Sequence, residues 1–178
     1  MSEIVQLTLA RRRDARRIAE MARDQIESGL GWSWGPARVR RQIDRGDALV
    51  VVARSGEALA GFGIMRYLEA EAHLLLLAVA PGQRRMGVGQ RLLEWLERCA
   101  LEAGIARVSL EVRERNAGAQ AFYRDQGYQR LRLLEGYYRR PYRVENAVRM
   151  GKVLARPLDA GAADAWFAAL TAGLEVER

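Results

Sequence analysis

Residues 71–128 read EAHLLLLAVAPGQRRMGVGQRLLEWLERCALEAGIARVSLEVRERNAGAQAFYRDQGY, and this stretch decides the fold. Its apolar run, Leu74 to Val79, predicts a central strand buried on both faces. Pro81 ends the ladder, because it has no N–H to give. A basic, glycine-spaced turn follows, Arg84-Arg85-Met86-Gly87-Val88-Gly89, and opens directly into a helix. Val88, Leu92, Leu96, Cys99 and Ala103 recur there at helical steps, and Gly104 supplies a left-handed stop. A second strand and helix come next. Val108, Leu110 and Val112 alternate with Ser109, Glu111 and Arg113, and Ala117 to Gln126 is helical up to Gly127.

Strand, glycine turn and helix N-terminus together make a seat for an anion. Gly87 and Gly89 allow unusual backbone angles and close approach of a ligand. The first N–H groups of the helix have no internal partner and carry the positive end of its dipole. A pyrophosphate is the natural occupant, screened by Arg84, Arg85 and Arg91. By itself such a turn is also an ordinary tight connection.

The turn is not alone. Arg84, Gly87 and Gly89 match the [Q/R]-x-x-G-x-[G/A] pattern, and the segment resembles the acetyl-CoA-binding core of the GNAT N-acetyltransferase superfamily. LEVRERN (110–116) and AFYRDQGY (121–128) look like the RimI-type N-terminal acetyltransferases of that superfamily. The resemblance implies an α/β (α+β) GNAT fold, a mixed central sheet of six or seven strands flanked by about four helices. Its fourth and fifth strands splay, and acetyl-CoA wedges into the gap. Backbone groups of Leu77, Ala78 and Val79 would pair with the pantetheine arm as an added strand does, one N–H serving as oxyanion donor. Arg85, Met86, Gly87, Val88, Gly89 and Gln90 would hold the pyrophosphate. Asn116 would hydrogen-bond the cofactor arm, although asparagine is equally a favoured helix N-cap.

Acetyl transfer to an amine needs a deprotonated amine, a polarised thioester carbonyl, alignment and a proton for the leaving thiolate. By the family match, Glu111 is the candidate base, acting through water, and Tyr123 the candidate acid, also touching the cofactor. Read without the match, Glu111 is a strand carboxylate paired with Arg113 or Arg107, and Tyr123 packs beside a Phe122 that fills the core. The loop GLGWSWGP offers Trp32 and Trp34 to grip the acceptor or to cap the core. Glu135, Tyr137 and Tyr138 resemble the family's acceptor-side turn. Two departures stand out: GYYRRP in place of NYYP, and Ala80-Pro81 in place of DP. They leave the cofactor site intact and put the acceptor in question.

The chain has 178 residues, enough for one domain with a real core. No apolar run approaches the roughly 20 residues that span a bilayer. The basic residues of MSEIVQLTLARRRDARR follow the apolar stretch, the reverse of a secretory signal, so a cytoplasmic protein is expected. Cys99 is single, lies on the helix stripe and reads as a buried structural thiol; His73 is the only histidine. A zinc site or Cys-His catalysis is therefore not expected. The formal net charge of +7 is almost all arginine and favours anionic partners, coenzyme A among them.

Along the rest of the chain, strands are expected at Ile4–Leu9, Ala48–Arg54, Ala58–Tyr67, Gln129–Leu134 and Val144–Val153, the last two joined through EGYYRRPYRVEN. Asp14 is read as the N-cap of a helix ending at Gly29, and Pro36 as the start of a second helix closing at Gly46. Residues 1–154 form the expected acetyltransferase domain. Residues 155–178 form a helical extension, with Ala163, Trp166, Phe167 and Leu170 on one side, docking on the domain or on a second subunit. The expected activity is acetyl transfer to a protein N-terminal amine, by a monomer or homodimer, near the ribosome or not. The alternatives are a small amine, polyamine, antibiotic or lysine side chain as acceptor, or a basic module that binds CoA or nucleic acid without catalysis.

Overall fold

The computed structural model describes residues 5–140 and 143–154; the expected C-terminal extension lies outside the described residues. The chain runs β1 (Val5–Leu9), α1 (Ala15–Gln25), α2 (Pro36–Asp44), β2 (Ala48–Ser55), β3 (Ala58–Tyr67), β4 (Ala72–Val79), α3 (Val88–Glu102), β5 (Arg107–Arg113), α4 (Ala117–Asp125), β6 (Gln129–Arg140) and β7 (Arg143–Val153). The strands form one sheet in the order β1-β2-β3-β4-β5-β7-β6. Only β4 and β5 pair in parallel, so the GNAT architecture expected from the sequence is the one observed.

The sheet splits where the expected gap lies. β4 and β5 pair only through Ala72–Leu74 and Val108–Leu110, and beyond that rung the strands part. The cause is local. On the β3 side Ile64 pairs with Leu76 and Met65 with Leu74, so Leu75 is one residue too many and makes a bulge. A bulge bends its strand and sharpens its twist. It also reverses which side chains face which layer: Ala72 and Leu74 belong to the core under α3, Leu76 and Ala78 to the core under α1 and α2. The four-leucine run is thus shared between two cores, as its unbroken hydrophobicity requires.

Helix α3 lies close to the sheet because β3 offers glycines beneath it. A Cβ on Gly61 would stand 2.8 Å from the Ala78 carbonyl oxygen, and one on Gly63 would stand 2.6 Å from Leu96 Cδ1. Gly104 and Gly127 end their helices at φ +80° and +87°, as the sequence requires.

Three sequence readings are corrected. The buried face of α3 is completed by Leu93, Glu97 and Ala100, while Cys99 is half-buried and Ala103 exposed. The helical stripe is wide, and periodicity alone misplaced its centre. Glu97 is accommodated by the Tyr128 hydroxyl at 2.9 Å and Lys152 Nζ at 2.7 Å. Asp14 does not cap α1 with its side chain; its carboxylate turns back to the Arg11 N–H at 2.8 Å and to Arg54 at 2.5 Å. The stretch read as a connection after Leu134 is instead ladder, carried on through Tyr138, which pairs with Glu145.

Candidate active site

The anion seat is built from a tight reversal. Arg85 and Gly87 both sit in the left-handed region, at φ 60° and 77°, and Gly87 is the N-cap of the 15-residue α3. Side-chain crowding does not demand glycine at 87, since nothing lies within 4 Å of a Cβ there; the backbone angle does. At Gly89 a Cβ would meet only Val79 and Phe122, at 3.4 and 3.5 Å, and the backbone there is not left-handed. Packing within the protein therefore does not demand glycine at 89. The N–H groups of Val88, Gly89 and Gln90 open on this spot. Val88 is buried, Met86 exposed, and the Gln90 amide is held by Glu94 at 2.8 Å.

Arg84 is exposed but engaged with its neighbours. Its Nε donates to the Val79 carbonyl at 3.3 Å and its Nη2 to Gln25 Oε1 at 2.6 Å. Arg84 therefore braces the seat against α1, and Arg85 is left as an exposed cation at the turn. From the seat, the edge of β4 along Leu77, Ala78 and Val79 faces β5 without a sheet partner on that side, among the described residues. That is the open edge a pantetheine arm requires.

Two clefts meet below the split. The first lies between β4 and β5 and reaches Asn116, Ala119 and Tyr123 of the α4 segment. The second opens on the other side, under the loop joining α1 to α2, and reaches Trp34, Arg38, His73 and Tyr137. Leu75, Leu76, Glu111, Arg113 and Tyr138 border both. Glu111 thus stands at the junction.

Its surroundings were not foreseen. Neither Arg107 nor Arg113 is its partner; His73 Nε2 lies 2.7 Å from Glu111 Oε2, and Arg149 Nε 3.7 Å from Oε1. Burial raises the carboxyl, but the hydrogen bond and charge of His73, the charge of Arg149 and a hydrogen bond from Tyr137 hold it below the usual carboxylate range. Glu111 is therefore ionised at neutral pH. Arg113 is engaged elsewhere, donating to the carbonyls of Ile26 and Ser28 at 2.8 and 2.9 Å.

Tyr123 sits in the core cluster and is 9% exposed, whereas Phe122 is only partly buried. The sequence reading had these roles reversed. Burial, reinforced by Tyr138, pushes the Tyr123 phenol up, so it keeps its proton across the physiological range. Tyr138 is likewise pushed up to about 12 by burial and by Tyr137 and Glu111 nearby. Asn116 caps α4, its Oδ1 accepting the Ala119 N–H at 3.0 Å, and the residue also lines the first cleft.

The two tryptophans separate. Trp34 is buried, lines the second cleft and carries the Arg38 guanidinium 4.1 Å above its ring. Trp32 is 48% exposed, outside the walls of both clefts, its indole N–H donating to the Ala19 carbonyl at 3.2 Å. Glu27, which the sequence reading passed over, fixes this loop by accepting the N–H groups of Ser33 and Trp34, each at 2.9 Å. Tyr137 and Tyr138 stack edge-on at 4.9 Å and both border the second cleft, while Glu135 is exposed.

Among the described residues, no helix is long and apolar enough to cross a membrane, and no His, Cys, Asp and Glu cluster is arranged to hold a metal.

A split sheet with an anion seat at its open end suits a long anionic thioester, so fold and site together define an acyl-CoA-dependent acyltransferase. Residues 15–128 match the Acetyltransferase (GNAT) family, and the chain belongs to that family. It is an N-acetyltransferase with acetyl-CoA as donor. It is 38% identical over 145 residues to the N-alpha-acetyltransferase RimI of Mycobacterium tuberculosis, spanning 78% of this chain and 87% of that one. The crystal structure of the ribosomal-protein-S18-alanine N-acetyltransferase from Escherichia coli superposes with a TM-score of 0.74 at 24% identity, over 85% of this chain and 95% of that one. Arabidopsis thaliana NAA60 in complex with acetyl-CoA shares the fold, with a TM-score of 0.75 at 16% identity over 85% and 99% of the two chains.

Proposed function

We propose that this enzyme acetylates the α-amine of a protein N-terminus, by direct attack on the thioester while donor and acceptor are bound together. The observation that carries the reading is the pair of clefts that meet at Glu111. Each cleft reaches the junction from its own side, so neither substrate has to leave before the other enters. The M. tuberculosis relative is named for α-amine acetylation, which favours this acceptor.

Bound acetyl-CoA supplies an activated acyl carbonyl. The chain's own groups supply the rest. The Gly87–Gln90 N–H groups hold the pyrophosphate, and Asn116 with the open edge at Leu77, Ala78 and Val79 orients the arm. An N–H of that edge donates to the carbonyl oxygen, where charge builds. An α-ammonium with a pKa of about 7.7–8.0 must lose a proton before it attacks, and Glu111, ionised at the junction, receives it directly or through water. The Tyr123 phenol, kept protonated by burial, gives its proton to sulfur. Trp34, Tyr137 and Tyr138 wall the acceptor; Trp32 acts on the loop from outside. Residues 1–154 as the catalytic domain, cytoplasmic placement and action near the ribosome belong to the same proposal.

Initial-rate kinetics with both substrates varied test the two-cleft route. Intersecting double-reciprocal lines are expected; parallel lines, the mark of an acetylated enzyme, would refute it.

A further inference from the structure

The acceptor cleft holds one cation whose hydrogen-bond donors, among the described residues, nothing in the fold takes up. The charged groups in its walls are Glu27, Arg38, His73, Glu111 and Arg113. Four of them have polar partners. Glu27 Oε1 accepts the Ser33 N–H and Oε2 the Trp34 N–H, each at 2.9 Å, and the Ser33 hydroxyl adds a further bond. His73 and Glu111 face each other, with Arg149 beyond. Arg113 donates to the carbonyls of Ile26 and Ser28 and shares Glu145 with Arg115. Arg38 differs. Among the described residues no carboxylate or carbonyl receives its guanidinium, and its contact is the Trp34 ring, whose centroid lies 4.1 Å from Cζ.

That ring is a fixed platform. Trp34 is buried, belongs to the core under α1 and α2, and has its backbone N–H tied to Glu27. Arg38, in the first turn of α2, is exposed. A guanidinium resting on an aromatic face keeps its N–H fork for a planar anion at its edge, and the planar anion of a peptide is a carboxylate. The helix itself offers none. Arg41 and Gln42 stand three and four residues on, and Asp44, the only acid of α2, is bound to Arg12 at 2.7 Å. Arg38 borders the acceptor cleft and not the donor cleft, whereas Glu111 borders both. An acceptor that fills this cleft with its amine at Glu111 therefore lies along Arg38. We propose that Arg38, held on Trp34, selects the acceptor by receiving an aspartate or glutamate side chain at its second, third or fourth residue. A lysine or arginine in that place would meet a like charge, so the same residue selects against basic N-termini. This rests on the reading of the acceptor as a protein N-terminus and names which N-termini it takes.

The test is a series of peptides that differ only at the second, third or fourth residue, each position carrying Glu, Gln or Lys in turn. In the parent protein, one of these positions is expected to favour Glu over Gln by roughly tenfold in kcat/KM for α-amine acetylation, the size of a charge-assisted hydrogen bond. Lys there should be the poorest of the three. Arg38→Ala is expected to bring the Glu/Gln ratio close to one, and Arg38→Glu to turn the preference toward Lys. A ratio near one at every position in the parent, or a Glu preference that survives Arg38→Ala, overturns the proposal. Calorimetry with the same peptides N-acetylated, which cannot react, reads binding apart from turnover. The Glu form should bind roughly tenfold tighter than the Gln form in the parent and equally in Arg38→Ala. Acidic peptides that bind in this Arg38-dependent way but are never acetylated would refute the protein N-terminus as acceptor and leave the carboxylate receptor standing. Peptides acetylated without regard to charge would refute the receptor and leave the acceptor standing. Peptides neither bound nor acetylated would overturn both.

Discussion

Arg84 Nη2 lies 2.6 Å from Gln25 Oε1, which ties the anion-binding turn to the last residue of α1, the helix that leads into the acceptor loop. The two substrate sites therefore share a brace. Arg84→Ala should weaken acetyl-CoA binding about fivefold, the equivalent of roughly 1 kcal/mol for an exposed charged hydrogen bond. Acceptor KM should rise with it. Gln25→Ala should reproduce the acceptor effect with little change in acetyl-CoA affinity, as calorimetry and steady-state kinetics would show. Unchanged acceptor KM in both variants would remove the brace.

Tyr123→Phe deletes one hydroxyl from a ring that stays packed between Phe122 and Tyr128. Turnover should fall by about a hundredfold, in the range of a lost general acid, with acetyl-CoA affinity preserved. A variant that turns over normally would leave the thiolate's proton to come from water.

Glu111→Gln should reduce kcat/KM most below the amine pKa of about 7.7–8.0, where unassisted free amine is scarce. The stability effect has its own sign. The folded carboxyl is held below its ordinary, unfolded value, so its contribution is present above that unfolded value and is lost as pH falls through the lower folded one. Parent and Glu111→Gln should differ in Tm at pH 7 and converge in strong acid. A gap that widens in acid would contradict the assigned environment.

Gly61→Ala places a Cβ against the Ala78 carbonyl oxygen at 2.8 Å, where backbone must shift. A loss of about 1–3 kcal/mol is expected, as for other overpacked cores, together with weaker acetyl-CoA binding, because Ala78 belongs to the open edge of β4. Denaturant titration and calorimetry measure the two effects separately. Full stability would mean that the sheet relaxes more easily than its packing indicates.

The parts of this molecule that the sequence declares are those set by local chemistry. β3 was read with its observed bounds, and α3 begins at Val88 as expected, because periodicity, Pro81 and the glycines are all local signals. The bulge at Leu75 left no such mark. Leu74, Leu75, Leu76 and Leu77 are chemically identical, and only the pairing of β3 with β4 singles one out. Asn116 had two readings, and the geometry bears out one of them: its carbonyl caps α4, at the wall of the first cleft.

The site was half legible for the same reason. Glu111, Tyr123 and the glycine turn stand in one continuous stretch whose motifs are specific. His73, Glu71 and Arg149 join them only through the registers of β4–β5 and β5–β7, and Arg149 is 78 residues from Glu71 along the chain. Long-range register is fixed by the folded sheet, so an isolated histidine before a leucine run gave no hint of its carboxylate partner.

The most direct test of the central claim is to incubate the protein with acetyl-CoA and peptides that carry both a free N-terminus and an internal lysine, then to locate the acetyl group by mass spectrometry. Acetyl on the α-amine is the expected result. Acetyl confined to the lysine, or no modified peptide while a small amine is acetylated, would contradict the assignment of the acceptor.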